Sequence, residues 1–318
     1  MFKMAPTEKT ASTFTFAFGT ALDDDSVYVA GTADELEDRD VHHTIIWERL
    51  GGDWKRYQWK NRSYGIAGYA LEGAGTSVYM GYEGTVKVRS AIRGSSEEVV
   101  ESGNDGPSSL RTISSIRVVG DHIYVSGMRR MVYRRPLNGA IWSRFDAGVR
   151  LGRADLAIAG LYSIDGHDPL HLHAVGIHGE IWQYVQSTWF RVDSLTNLAL
   201  MAVRCLPSGV VVAGGEKGAL LVGDRGRWTT VTHSFVDETF RCIEWWKDRC
   251  FIGSDNGVLY ELLLGDSPRL NPLAVDGMPR VSWIAATKQR AWFFGGNSAL
   301  SLGDDGWRDE SPPAALLA

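Results

Sequence analysis

Seven short apolar runs, each ending at a glycine, recur along the chain. The glycines are Gly31, Gly81, Gly127, Gly176, Gly214, Gly253 and Gly295. They are separated by 50, 46, 49, 38, 39 and 42 residues. Because almost every position of each run is apolar, without alternation with polar residues, the runs predict strands that are covered on both faces.

The segment Leu200–Thr232 shows the complete repeating unit. Its sequence predicts four strands joined by tight turns, namely Met201–Leu206, Val210–Gly214, Ala219–Val222 and Trp228–Thr232. A single unit of four short strands leaves two apolar faces exposed, so it needs a neighbour on each side. Self-similarity at roughly 40 to 50 residues, with four strands per unit, is typical of propeller blades.

We therefore predict an all-β fold, a seven-bladed β-propeller of four-stranded antiparallel blades, in one domain over residues 13–311. Residues 1–12 are predicted to be a polar N-terminal tail and residues 312–318 a C-terminal tail. Outer-strand tryptophans at equivalent positions are expected to pack one blade on the next; they are Trp142, Trp189 and Trp228. The consecutive pair Trp245 and Trp246 is expected to point to opposite faces of one strand.

The formal net charge of −5 disfavours a nucleic-acid-binding surface, which needs a concentrated basic region. The N-terminus lacks the apolar core of a signal peptide, and no run reaches the roughly 18 apolar residues of a membrane span. We therefore expect a cytoplasmic protein that binds neither nucleic acid nor membrane. We also expect a monomer apart from its partner.

The chain contains three cysteines, an odd number. Cys242 and Cys250 lie on adjacent predicted strands, but a turn near residues 247–248 places Trp245, and not Cys242, opposite Cys250. We interpret the cysteines as buried free thiols in a reducing compartment.

Two segments resemble Asp boxes, with the tryptophan placed closer to the aspartate than in that family. They are Asp224-Arg225-Gly226-Arg227-Trp228 and Asp304-Asp305-Gly306-Trp307. Together with the repeats, they make residues 13–311 similar to the WD40-like and Asp-box-like β-propeller superfamily. The Gly-His and Trp-Asp pairs of WD40 repeats do not recur, and the Arg-Ile-Pro motif of sugar-cleaving Asp-box enzymes is absent. The resemblance therefore implies the fold and no particular activity.

In such a propeller, the loops from strand two to strand three gather on one rim, together with the connections between blades. The candidate partner-binding residues on these loops are Asp34, Glu35, Glu37, Asp38, Asp40, Tyr82, Glu83, Arg129, Arg130, His178, Glu216, Lys217, Asp255 and Asn256. The first five form a predicted protruding acidic arm, because insertions in repeat arrays tend to map to the binding face. Two alternatives remain open: the arm is a solvated loop, and Arg129 and Arg130 pair with neighbouring acids on the surface.

A histidine-rich stretch lies in the fourth repeat; its polar residues are His167, Asp168, His171, His173 and His178. His171 and His173 are two positions apart on one predicted strand and share a face, as a metal site requires. The strand is interior, so buried hydrogen-bonding histidines explain the same pattern. We favour that reading and predict no metal and no other cofactor.

Catalytic motifs are absent from the sequence: it has no Gly-x-Ser-x-Gly elbow, no His-Glu-x-x-His, no Walker loop and no Gly-x-Gly-x-x-Gly after a strand. We therefore favour a non-enzymatic protein that holds a protein partner on one rim. The specific hypothesis is an inhibitor or immunity protein that neutralises a basic bacterial toxin, such as a nuclease.

Two alternatives remain. The first is a propeller enzyme, a hydrolase or lyase acting on a sugar or lactone, which needs a polar or carboxylate-lined channel mouth. The sequence instead places small apolar residues, such as Ala202 and Ala285, on the innermost strands. The second alternative is a scaffold that assembles several partners.

Overall fold

The computed structural model describes residues 13–317 apart from 111–112, 153–154, 156–157, 225 and 278–279. Over these residues the chain forms seven antiparallel sheets, each built from four consecutive strands. The first strand of each blade packs on the first strand of the next, and the seventh blade packs on the first. The seven-bladed β-propeller is thereby confirmed. The predicted tail at residues 1–12 lies outside the described residues, as does Ala318.

The strands of the first four blades have the following bounds. Blade one contains β1 (Phe14–Ala21), β2 (Ser26–Ala33), β3 (Thr44–Leu50) and β4 (Asp53–Trp59), and blade two contains β5 (Ser63–Leu71), β6 (Ala74–Gly81), β7 (Thr85–Ser90) and β8 (Gly94–Val99). Blade three contains β9 (Ile113–Val119), β10 (His122–Gly127), β11 (Val132–Pro136) and β12 (Ser143–Arg144), and blade four contains β13 (Leu161–Asp168), β14 (His171–Gly176), β15 (Ile181–Val185) and β16 (Thr188–Val192).

The remaining three blades follow the same order. Blade five contains β17 (Leu200–Cys205), β18 (Val211–Gly215), β19 (Leu220–Asp224) and β20 (Arg227–Thr230). Blade six contains β21 (Phe240–Trp246), β22 (Arg249–Ser254), β23 (Leu259–Leu263) and β24 (Arg269–Leu273). Blade seven contains β25 (Trp283–Ala286), β26 (Ala291–Gly295), β27 (Ser298–Gly303) and β28 (Gly306–Asp309).

Helical structure is confined to single turns in the described part of the chain. The α-helical turns are α1 (Asp34–Glu37) and α2 (Pro107–Leu110), and the 3-10 turns are Tyr82–Gly84, Ile177–Gly179, Glu216–Gly218 and Ala314–Leu316. No helix among the described residues has the length and hydropathy needed to cross a membrane. The two Asp-box-like segments form the hairpins β19–β20 and β27–β28; Arg225 lies outside the described residues.

The hydrophobic core lies between the blades, and the outer-strand tryptophans pack there as predicted. The indole Nε1 of Trp142 in blade three donates to Glu98 of blade two at 2.9 Å. The indole Nε1 of Trp189 in blade four donates to the carbonyl oxygen of Phe145 at 2.8 Å. Trp228 in blade five meets a ring of blade four edge-on. Each tryptophan thus joins its blade to the preceding one.

The predicted pairing within blade six is also confirmed. Trp245 and Cys250 are partners across β21 and β22. Trp245 packs with the cluster shared by blades five and six, whereas Trp246 packs with the cluster shared by blades six and seven. All three cysteines are buried and free, and burial raises the pKa of the Cys242 thiol to about 12.

The repeated glycine at the end of the second strand permits a close approach of two backbone segments. A Cβ at Gly176 would lie 1.8 Å from the carbonyl oxygen of Gly160, and a Cβ at Gly215 would lie 2.0 Å from that of Ala199. The same Gly160 oxygen accepts a hydrogen bond from the Ile177 amide at 3.0 Å. In blades four and five the glycine is therefore required by the connection that enters the blade.

The sequence misplaces this position by one residue in two blades. The strand pairing makes Gly215 and Ser254 the equivalents of Gly176, and not the predicted Gly214 and Gly253. In blade five two glycines are adjacent, and in blade six a serine occupies the position, so the pattern of residue types alone is ambiguous there.

The ring closes between blade seven and blade one without exchange of a strand. Phe16 and Trp47 of blade one pack in one cluster with Trp292 and Phe294 of blade seven. The Phe16 amide donates to the carbonyl oxygen of Gly296 at 2.6 Å. The seam is therefore held mainly by aromatic packing.

The C-terminal segment lies across this seam. The carbonyl oxygen of Leu316 accepts hydrogen bonds from the Trp47 indole at 3.2 Å and the Arg56 guanidinium at 3.1 Å. Arg49 of blade one pairs with Glu310, which follows the last strand, at 2.6 Å. Part of the predicted tail at residues 312–318 is thus docked on blade one.

We predict that Gly19→Ala destabilises the ring at its seam. A Cβ at Gly19 would lie 2.3 Å from the aromatic ring of Phe294, so the packing between blades one and seven must shift. Overpacking of this kind costs about 1–3 kcal/mol of the free energy of unfolding, measured by denaturant titration. Gly139→Ala is the matched control, because its Cβ would lie 3.6 Å from Pro136, an ordinary contact. Equal stabilities of the two variants would contradict the prediction.

Candidate functional site

One face of the ring carries all fourteen predicted partner-binding residues. The strands of each blade alternate in direction, so loops from strand two to strand three share this face with the connections between blades. We call it the 2–3 rim. Several of these loops are tied to a connection: the Ile177 amide donates to Gly160 at 3.0 Å, and the Glu216 amide donates to Ala199 at 2.9 Å. These loops of the 2–3 rim are therefore fixed by backbone hydrogen bonds.

The acidic insertion of blade one is folded back, in contrast to the predicted protruding arm. Residues 34–37 form α1, and the Thr15 hydroxyl donates to the Asp34 carboxylate at 3.0 Å. Arg62 pairs with Glu37 at 2.7 Å, and Leu36 packs against the core of the seam. Asp34 and Glu37 thus serve to hold the insertion in place.

Three carboxylates of the insertion remain exposed: Glu35, Asp38 and Asp40. Glu35 lies 4.0 Å from Arg39, and Asp40 lies 3.9 Å from Arg62 with 92% of its side chain exposed. Exposed pairs at such distances contribute about 0–1 kcal/mol. The three carboxylates therefore give blade one an acidic outer surface.

The two arginines of blade three are engaged within the protein. Arg130 forms a bidentate pair with Glu180 of blade four, at 2.7 Å and 2.5 Å, and its guanidinium lies over the Trp182 ring. Burial opposes ionisation of Glu180, but the hydrogen bonds from Arg130 and Trp182 outweigh it and lower the pKa of this carboxyl. Arg129 donates to the carbonyl oxygens of Gly152 and Asp155. The alternative that these arginines pair with neighbouring acids therefore holds for Arg130, whereas Arg129 binds backbone carbonyl oxygens.

The tips of three rim turns share one backbone conformation. Glu83, His178 and Lys217 are exposed and have positive φ values of 59°, 58° and 51°. Glu216 is exposed beside Lys217, and Tyr82 opens the turn that contains Glu83. Because the same conformation recurs in three blades, it is a property of the repeat. The side chains at the tips are free to differ from blade to blade.

Blade six contributes a polar pair to the 2–3 rim. The Asp255 carboxylate accepts from the Thr239 amide at 3.2 Å and lies 3.8 Å from Arg241. The Asn256 amide donates to Glu238 at 3.2 Å. Both side chains are exposed and are held in place from the neighbouring connection.

The mouth of the central channel opens on the same face and was not predicted from the sequence. In six blades the first strand has one extra residue near its start, a β-bulge opposite the repeated glycine position. Bulges at the rims of barrels and beside active sites re-aim a side chain. The six bulged residues and Ser282, which precedes β25, form what we call the bulge ring: Ala17, Tyr64, Ser114, Tyr162, Met201, Arg241 and Ser282. All seven line the mouth, a cavity of about 490 Å³.

Deeper in the channel, four charged side chains from four successive blades form a closed network, in which the two carboxylates are buried and the two guanidinium groups are partly exposed. Arg117 contacts Asp165 at 3.1 Å and Glu244 at 3.3 Å, and Arg204 contacts Asp165 at 3.2 Å and Glu244 at 2.5 Å. We call these residues the charge ring. Burial raises the pKa of both carboxyl groups, and the Arg117 guanidinium opposes the rise.

The charge ring corrects the predicted lining of the channel. Ala285 lies on the channel, but Ala202 packs between blades five and six. The innermost strands of blades three to six instead place charged residues in the channel. The guanidinium groups engage both carboxylates, so the charge ring is internally neutral.

The histidine-rich stretch does not converge on one point. His178 lies on the 2–3 rim, whereas His171 pairs with Asp168 at 2.9 Å on the opposite rim. His173 is buried near Cys205, whose Sγ lies 3.5 Å from Nδ1, and burial lowers the pKa of His173 to about 4. Among the described residues, no three His, Cys, Asp or Glu side chains are grouped to hold a metal ion.

The fold and the fixed loops define a β-propeller with a candidate protein-binding rim. No family model matches the chain. The WD40 β-propeller domain of Doa1 is similar to it with a TM-score of 0.66 and 7% identity, covering 92% of each chain. YCF48 from Cyanidioschyzon merolae has a TM-score of 0.65 and 11% identity, covering 91% of this chain and 95% of that one. These structures confirm the resemblance to WD40-like propellers at the level of the fold.

A curated protein is similar in sequence over nearly the whole of both chains. The immune protein Tsi7 of Pseudomonas aeruginosa is 28% identical over 298 residues, which are 88% of this chain and 95% of that protein.

We predict that Glu244→Gln lowers the free energy of unfolding by about 3–5 kcal/mol, because it leaves two guanidinium groups in the channel with one carboxylate. Glu261→Gln is the control: Glu261 pairs with the more exposed Arg249, and its loss costs about 0–1 kcal/mol. Adding Arg204→Met to Glu244→Gln restores neutrality and should recover part of the loss. Denaturant titration measures all three, and a small effect of Glu244→Gln would show that the charges are not coupled.

We predict that His173 makes the protein less stable as the pH falls from about 6.5 toward 4. The unfolded chain takes up the proton near the ordinary pKa of about 6.5, whereas the folded chain resists it until about 4, so stability is lost in that window. The loss attributable to His173 is at most about 3 kcal/mol. It should disappear in His173→Gln and persist in His178→Gln, an exposed control. Denaturant titrations at several pH values measure it, and an unchanged pH dependence in His173→Gln would contradict it.

Proposed function

We propose that this chain is an immunity protein, a non-enzymatic binding protein that neutralises a protein toxin by holding it on the 2–3 rim. The observation that carries the proposal is the similarity to the immune protein Tsi7, which extends over 88% of this chain and 95% of that protein. A match over the whole ring supports a shared role better than a match to one blade.

The build of the rim supports a binding role. Its loops are held by backbone hydrogen bonds to the connections between blades, as at Ile177 and Glu216. Arg130 and Glu180 lock two adjacent blades together at the same face. A surface that is ordered before binding loses little conformational entropy on association, so more of the contact energy appears as affinity.

We further propose that the toxin has a basic surface, such as that of a nuclease. The exposed carboxylates Glu35, Asp38 and Asp40 lie on blade one, and the turn tips add Glu83 and Glu216 to the same rim. An acidic surface accelerates the encounter with a basic partner and orients it. In this proposal the complex forms in the cytoplasm of a bacterium, between one copy of this chain and the toxin.

The test begins with capture and ends with protection. Tagged protein is used to capture partners from a lysate of the source cells, with washes at rising salt. Each captured protein is then expressed in Escherichia coli with and without this chain. The proposal requires one captured protein that arrests growth when expressed alone and does not arrest it when this chain is co-expressed. If no captured protein behaves in this way, the proposal is wrong.

We predict that neutralising the exposed carboxylates slows association with that toxin. The variant Glu35→Gln/Asp38→Asn/Asp40→Asn should reduce the association rate constant about tenfold at low salt, and less at high salt, because screening removes the steering. Asp34 and Glu37 are left intact, since they hold the insertion in place.

The control for this prediction is Glu72→Gln/Asp248→Asn/Asp266→Asn, which removes three exposed carboxylates from the opposite rim. Surface plasmon resonance at several salt concentrations measures both variants. Equal association rate constants for the two triple variants would show that the acidic surface of blade one does not accelerate association with the toxin.

A further inference from the structure

The bulge ring combines a uniform backbone with varied side chains. The bulge recurs in six blades, yet Ala17 and Ser114 show that it forms with small residues. Tyr64, Tyr162 and Met201 are therefore larger than the bulge itself requires. The bulge geometry alone therefore does not determine the size of these side chains.

The large side chains of the mouth have the composition of an interface centre. Tyr64, Tyr162 and Met201 are each half-buried, and Trp283 lines the same cavity. Tyrosine, tryptophan, methionine and arginine are enriched at the centres of protein interfaces, where a few anchors carry most of the binding energy.

The charge of the mouth differs from that of blade one. Among the described residues that line the mouth, Arg241 is the one charged side chain, and none is a carboxylate. Half of the Arg241 side chain is exposed, and its ion-pair partner Asp255 lies 3.8 Å away at the outer edge. The mouth is therefore complementary to a ligand that has an apolar group and a negative charge close to it.

The depth of the mouth limits what can enter. Ile116 and Trp283 line both the mouth and the narrower space below it, which reaches Arg117, Arg204 and Glu244 of the charge ring. These charges satisfy one another across the channel. The volume of about 490 Å³ fits the tip of a loop and not a chain that threads through the ring.

We propose that the bulge ring is an anchor socket for one loop of the toxin. The tip of that loop places an aromatic or long aliphatic side chain against Tyr64, Tyr162 and Met201, and a carboxylate beside it pairs with Arg241. The socket rests on the proposed function. It is continuous with the rest of the 2–3 rim, because Arg241 lies beside Asp255, and Met128, which lines the mouth, precedes Arg129.

The test uses the growth-arresting protein identified by capture and protection. Met201→Arg places a long charged side chain in the socket, and Leu170→Arg makes the same kind of change at an exposed position on the opposite rim. Met201→Arg should weaken the Kd by about 30-fold or more, mainly through faster dissociation, whereas Leu170→Arg should bind as the wild type does.

Two further variants separate a lost anchor from a damaged fold. Tyr64→Ser/Tyr162→Ser gives blades two and four the residue type that blade three already carries at Ser114, so the bulges should persist. This double variant should also weaken binding by about 30-fold, with an unchanged melting temperature. Arg241→Glu should weaken binding of the wild-type toxin by about tenfold or more, because it repels the carboxylate of the loop.

The outcomes separate the socket from the proposed function. If Met201→Arg and Tyr64→Ser/Tyr162→Ser bind the toxin within about twofold of the wild type and still protect cells, the socket is wrong and the immunity function stands. If no captured protein is neutralised by this chain, both are wrong. If native mass spectrometry finds a small molecule that is retained by the wild type and lost by Tyr64→Ser/Tyr162→Ser, while toxin binding is unchanged, the mouth is a small-molecule site and the socket is overturned.

Discussion

The structure depends on one constraint: a four-stranded blade has two apolar faces and can bury neither without a neighbour. The second strands are apolar throughout for this reason, and the core lies between the blades. The same constraint makes the seam between blades seven and one decisive, because no strand is exchanged across it. Elsewhere, outer tryptophans such as Trp189 join one blade to the preceding one. At the seam the two blades are joined by a cluster of four aromatic residues, Phe16, Trp47, Trp292 and Phe294. The chain segment that follows the last strand covers this seam.

A second constraint connects the fold to the 2–3 rim. Where blades four and five begin, the entering connection approaches the end of the second strand so closely that Gly176 and Gly215 have no room for a Cβ. The bulge lies opposite that position and turns one residue of the innermost strand into the channel mouth. The backbone of this bulge is repeated, but its side chain differs from blade to blade. A ring whose interior is fixed by burial thus keeps a set of positions at the channel mouth whose residue types vary, as Tyr162 and Met201 illustrate.

Whether a feature could be predicted from the sequence depends on how far apart in the chain the interacting residues lie. The blade number, the packing of Trp142 and the pairing of Trp245 with Cys250 depend on neighbours within about one blade, so local patterns predict them. The bulge ring could not be predicted in this way, because the extra residue is identified by the register between two strands, which the sequence of one strand does not give. The charge ring could not be predicted for another reason. Arg117 and Glu244 are 127 residues apart, and only closure of the ring brings them together.

The 2–3 rim contains two regions of different charge, the acidic surface of blade one and the channel mouth with Arg241. Their combination affects selectivity. The carboxylates of blade one are exposed, so they act over several ångströms, attract any basic surface and are weakened by salt. Arg241 lies at the edge of a half-enclosed apolar mouth, where a charge acts at short range and only on a group that fits. A partner that is complementary only to the carboxylates of blade one is attracted but dissociates quickly. A partner that is complementary only to the mouth associates slowly. If the rim binds a toxin as proposed, selectivity therefore requires a toxin that presents a basic face and, at a fixed distance from it, an apolar loop beside an acid.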